Sequence, residues 1–104
     1  MGIKDKQLII KFKKRLEREV PLVKCLLFGS RARQDHKDNS DFDFFILIEH
    51  NSPEIEKNIR DIAWEIAFEY NTFINTVVFS TDDLKTRLRH SMIYQNIQNE
   101  GIVV

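Results

Sequence analysis

Apolar positions fall along this chain in two rhythms. From Lys4 to Arg18, Leu8, Ile9, Phe12 and Leu16 recur at helical spacing, while Lys4, Lys6, Lys11, Lys13, Lys14, Arg15 and Arg18 occupy the other faces. That pattern predicts an amphipathic helix, ended by Val20-Pro21. Two short apolar runs follow, Val23 to Phe28 and Phe44 to Ile48, each the length of a buried strand. A second helix is predicted where Ser52 can cap, Pro53 suits the first helical position and Glu54 favours the positive end of the dipole. Its stripe of Ile55, Ile59, Ile62, Ala63, Ile66, Ala67 and Tyr70 reads as core, with Trp64 and Phe68 at the flank. Asn71-Thr72 then turns into a third strand, Phe73 to Phe79. Ser80-Thr81-Asp82-Asp83 is a capping arrangement for a short helix carrying Leu84 and Leu88, followed by a tail. Helix, strand, strand, helix, strand, helix and tail predict an α/β (α+β) fold. Its small mixed β-sheet should have helices packed mainly on one face.

Length and charge narrow this picture. The 104 residues suit one domain spanning 1–104, small enough for partner contacts to matter. Sixteen basic and sixteen acidic residues give no net field to recruit nucleic acid or a membrane. The basic stripe of the first helix reads as a solvated face, with a nucleic-acid contact as the alternative. One cysteine excludes an intramolecular disulfide and any multi-cysteine metal site, and Cys25, inside the first apolar run, reads as a core residue. The first twenty residues are lysine-rich without a continuous apolar core, and no apolar run nears the roughly 20 residues of a membrane span. The expected location is therefore cytoplasmic.

Candidate chemistry lies between the first two strands. Gly29-Ser30 is followed, after ten residues, by Asp41-Phe42-Asp43. Alternate side chains of a strand share a face, so Asp41 and Asp43 project together, about 6.6–6.8 Å apart along it. Such a pair can ligate one cation from two sides or bridge two, and hard oxygen ligands suit Mg²⁺ or Mn²⁺. The plainer alternative is two solvated carboxylates at a strand mouth. Upstream, Gly29 permits a tight turn and Ser30 can cap a helix begun by Arg31-Ala32-Arg33. Backbone N–H groups, the serine hydroxyl and the charges of Arg31 and Arg33 would together favour phosphate. Residues 34–39 read as a polar loop in which His36 is solvated or reaches a phosphate. His50 and His90 show no metal-ligand spacing.

Leu27-Phe28-Gly29-Ser30-Arg31-Ala32-Arg33 with Ser40-Asp41-Phe42-Asp43-Phe44 resembles the signature of the DNA polymerase β-type nucleotidyltransferases. More narrowly, it resembles the minimal nucleotidyltransferases of prokaryotes, whose partners are helical HEPN proteins. The stretch Tyr94 to Val103 resembles the way those domains end. The resemblance implies a nucleotidyltransferase palm and an open nucleotide groove over the strand ends. It also implies transfer of a nucleoside monophosphate from ATP or another triphosphate to a hydroxyl, with Asp41 and Asp43 as metal-holding catalytic residues. In antitoxin members the acceptor is a tyrosine of the partner toxin. Relatives usually add a third carboxylate from a later strand. In Phe73 to Phe79 no acid is present, and Asn75 or Thr76 stands about where it is expected. An asparagine offers a metal only a neutral carbonyl oxygen and cannot act as a base.

Three functions compete on this sequence. One is an active nucleotidyltransferase acting on a HEPN toxin, with Gly29 and Ser30 at the β- and γ-phosphates. A second is a degenerate member that binds nucleotide or toxin without chemistry. The third is an interaction module with a residual motif. With so little material to enclose a base or acceptor, selectivity would come from an oligomeric neighbour or the partner protein.

Overall fold

The computed structural model describes residues 1–33 and 40–104; the expected polar loop and His36 lie outside the described residues. Helix α1 covers Ile3–Glu19 and buries Leu8, Ile9, Phe12 and Leu16, the stripe its spacing predicts. Strand β1, Leu22–Phe28, leads into the short helix α2, Gly29–Arg33. Strand β2, Phe42–Ile48, is followed by helix α3, Pro53–Glu69, and strand β3, Ile74–Ser80. Ser52 caps α3 by accepting from the Ile55 N–H at 3.1 Å, leaving Pro53 where its missing N–H is harmless. Asn71 takes φ +53°, a left-handed turn that asparagine tolerates, and so redirects the chain from α3 into β3.

The sheet order is β3-β2-β1 plus a fourth strand at the far edge. β1 and β2 run antiparallel, with Phe28 opposite Asp43 and a register shift between Leu22 and Lys24. β2 and β3 run parallel, as the α3 crossover requires, with Asp43 beside Asn75 and Phe44 beside Thr76. One sheet face carries Cys25, Leu27, Phe42, Phe44, Ile46 and Ile48 into a core closed by α1 and α3. Phe12 meets Phe44 there at 4.5 Å between ring centroids.

The end of the chain departs from a simple tail. Residues Met92–Glu100 form helix α4, and Ile102–Val103 form strand β4, paired antiparallel with β1. Ser91 caps α4 at the Tyr94 N–H. Tyr94 and Ile97 then cover Leu26, Phe45 and Leu47 on the second sheet face. Two long helices therefore sit on one face and one short helix covers part of the other. The short helix expected after Ser80 is instead two 3-10 turns, Asp83–Lys85 and Arg87–His90, with Leu84 half-buried and Leu88 exposed. Ser80 and Asp83 do cap each other there, Asp83 Oδ2 accepting from the Ser80 N–H at 2.8 Å and Ser80 Oγ from the Asp83 N–H at 3.2 Å. Along α3 the apolar stripe is buried apart from its half-buried ends, whereas Trp64 and Phe68 project from its flank, 71% and 81% exposed. No helix among the described residues is long and apolar enough to cross a membrane.

Candidate functional site

Three strand ends meet at the candidate site. β1 finishes at Phe28, and Gly29 follows at φ +74°, a conformation that an L-residue adopts only with strain. A Cβ built on Gly29 would land on the Asp43 carboxylate, with the Asp43 Cγ only 3.2 Å away. The glycine therefore serves two purposes, a left-handed turn and room for an acid. Ser30 lies within α2 rather than ahead of it as a cap, and is half-buried.

Asp41 precedes β2 by one residue, whereas Asp43 lies within it. Phe42 between them turns into the α1/α3 core, so Asp43 faces the other side, the one that also carries Phe45 and Leu47. Asn75 stands beside Asp43 across the parallel pair. Its Nδ2 donates to Asp41 Oδ2 at 3.0 Å and to Asp43 Oδ1 at 3.1 Å. Both carboxylates thus reach a single point, and an amide nitrogen holds it. Thr76 is one residue further on and faces the other way, into a concavity of about 860 Å³ lined also by Arg31, Phe42, Trp64 and Phe68. Of the two residues considered for the third position, the structure brings only Asn75 to the carboxylates.

The two arginines take different surroundings. Arg31 is 4% exposed and stacks its guanidinium 4.2 Å over the Phe42 ring. Its Nη1 donates to Asp5 Oδ2 at 3.0 Å, while Nε and Nη2 reach the Ser40 carbonyl at 3.1 and 2.7 Å. It ties α1 and α2 to the residue immediately before Asp41. Arg33 is exposed and pairs with Glu100 of α4 at 3.3 Å. Sequence reasoning missed Asp5 as the partner of Arg31. Asp5 sits among lysines at a helix start, and no local spacing points from there to residue 31.

The donor set fits a hard divalent cation. Two carboxylates converge beside a glycine whose missing Cβ leaves room for one of them, and both offer oxygen, the ligand that Mg²⁺ or Mn²⁺ prefers. Among the described residues, no group of three or more His, Cys, Asp and Glu side chains assembles.

Residues 10–104 match the family model described as "Polymerase beta, Nucleotidyltransferase". No curated protein matches the chain. Among solved structures, it superposes on a crystal structure of a toxin-antitoxin with AMP-PNP at TM-score 0.67, with 22% identity over 95% of this chain and 71% of the other. A structure assigned as a minimal nucleotidyltransferase gives TM-score 0.65, 18% identity, and coverage of 97% and 95%. Spectinomycin adenyltransferase from Enterococcus faecialis, solved with ATP and spectinomycin, gives TM-score 0.58 and 26% identity. That likeness covers 76% of this chain and 35% of the enzyme.

Proposed function

Because this chain belongs to the polymerase beta nucleotidyltransferase family, we propose that it transfers a nucleoside monophosphate, AMP, from its triphosphate to a protein hydroxyl. The observation that carries this reading is the convergence of Asp41 and Asp43 on one point beside the Gly29 turn. The nucleotide would lie in the open groove over the strand ends, on the sheet face opposite the Thr76 concavity. There Asp41 and Asp43 hold Mg²⁺ or Mn²⁺, which when bound neutralises phosphate charge and lowers the pKa of the attacking hydroxyl. Ser30 and Arg33 meet the β- and γ-phosphates, where Gly29 lets the backbone approach. Arg31 contributes by holding Ser40, and through it Asp41, in place. Catalysis is positioning and charge stabilisation as pyrophosphate leaves.

AMP-PNP and ATP in the similar structures support an adenine nucleotide. The toxin-antitoxin likeness supports a toxin as acceptor, and the sequence resemblance suggests a helical HEPN protein with a tyrosine hydroxyl. The chain is read as one domain acting in the cytoplasm, with the partner or a second copy completing the acceptor site.

A second reading, nucleotide or toxin binding without transfer, is favoured by Asn75, a residue that cannot serve as a base, at the third-carboxylate register. Incubation with labelled ATP, Mg²⁺ and the product of its neighbouring gene separates the two. Label should move to the neighbour, and Asp41→Asn should lower the rate by about two orders of magnitude or more. ATP binding without label transfer selects the second reading. Absence of ATP binding, of label transfer and of any complex with that neighbour overturns each.

A further inference from the structure

An –NH₂ group carries two protons and no acceptor lone pair, so the amide nitrogen of Asn75 can serve both carboxylates at once, one proton to each. Hydrogen bonds to ionised oxygens are stronger than neutral ones, and here they offset the repulsion between two like charges. The amide orientation is fixed by the same logic. Turned the other way, Asn75 would push a carbonyl oxygen against two carboxylate oxygens.

A divalent cation reverses that preference. Amide protons repel it, whereas a carbonyl oxygen can ligate it. Nδ2 and Oδ1 are nearly equal in size and exchange places by a half-turn about χ2. Asn75 is exposed, and no hydrogen bond of its Oδ1 is found among the described residues, so the turn has little to break besides the two bonds to Asp41 and Asp43.

We propose that Asn75 is a two-state residue of the metal site. Its amide N–H groups lock Asp41 and Asp43 together when no cation is bound, and its carbonyl oxygen becomes the third protein ligand when one is. This rests on the metal-nucleotide reading of Asp41 and Asp43 and adds two consequences to it. An aspartate at this position adds negative charge and has no N–H group to displace. The asparagine therefore weakens binding of free Mg²⁺ and leaves the triphosphate to bring the ion with it.

The test is Mg²⁺ binding to the purified chain, read by calorimetry and by the side-chain ¹H–¹⁵N signals of Asn75, with no transfer assay. Asn75→Asp should tighten Mg²⁺ by about tenfold or more, since charge is added to the ligand set. Asn75→Ala loses the carbonyl ligand and the competing N–H lock together, so its Mg²⁺ affinity should stay within about tenfold of wild type. In the wild-type protein, the Asn75 amide protons should move upfield on saturation with Mg²⁺ as they leave the carboxylates. Asn75→Asp binding no tighter than wild type, or unmoved Asn75 signals at saturation, overturns the proposal. If Asp41→Asn still abolishes binding in that case, the metal reading of the carboxylates stands without it. If neither wild type nor Asn75→Asp binds Mg²⁺ either alone or together with AMP-PNP, both fall together.

Discussion

Gly29 holds φ +74° with the Asp43 carboxylate directly against the place a Cβ would occupy. Backbone strain and steric displacement therefore act together on substitution. Gly29→Ala is expected to destabilise the fold by about 1–2 kcal/mol and to push Asp43 off the point it shares with Asp41. Thermal melting and nucleotide binding by calorimetry check this, and binding should fall much more than stability. At this scale the motif spacing located Gly29, Asp41 and Asp43, because a glycine and two acids separated by one residue constrain local geometry. Arg31 was legible only as a positive charge. That it would be buried on Phe42 and clasp Asp5 and the Ser40 carbonyl depends on α1 crossing beside α2, a long-range event. Likewise only the β2–β3 register separates Asn75, beside the carboxylates, from Thr76 on the opposite face.

Among the elements, α3 was the most legible from sequence. A capping serine, a proline at the first position and a stripe of isoleucines and alanines all agree on it, and the structure follows each. Ser52→Ala leaves the Ile55 N–H without its acceptor and should cost about 1 kcal/mol, read as a lower midpoint in urea at unchanged slope. On α1, the basic stripe read as solvated is partly engaged. Lys11 pairs with Glu69 at 2.7 Å and Arg15 with Glu65 at 2.8 Å, joining α1 to α3. Pairs so exposed add little stability. Helix α4 and strand β4 escaped the sequence reading, although Ser91 as cap and the spacing of Ile93, Tyr94 and Ile97 were available signals. A two-residue strand has no periodicity to detect, and β4 exists only because β1 offers an edge.

Across the whole molecule, the core between the sheet and α1/α3 encloses Cys25, 1% exposed. Burial is the main cause that pushes its thiol from 9.0 up to about 12, and Lys13 opposes it weakly. The charged form is the deprotonated one, so the unfolded chain releases this proton first as pH rises. The contribution of this group to stability is complete below pH 9 and is lost between pH 9 and about 12. Urea midpoints should fall across that window in wild type and less so in Cys25→Ala. A thiol reagent at pH 8 should label Cys25 only as fast as the protein opens globally. By itself the sequence determined helices α1 and α3, the three long strands and the place of the carboxylates, because period, caps and motif spacing are local. Tertiary structure alone decided the fourth strand, the parallel register that sets Asn75 between Asp41 and Asp43, and the burial of Arg31. Each of these depends on segments distant in sequence meeting at one edge or face, and no local pattern encodes which segments will meet.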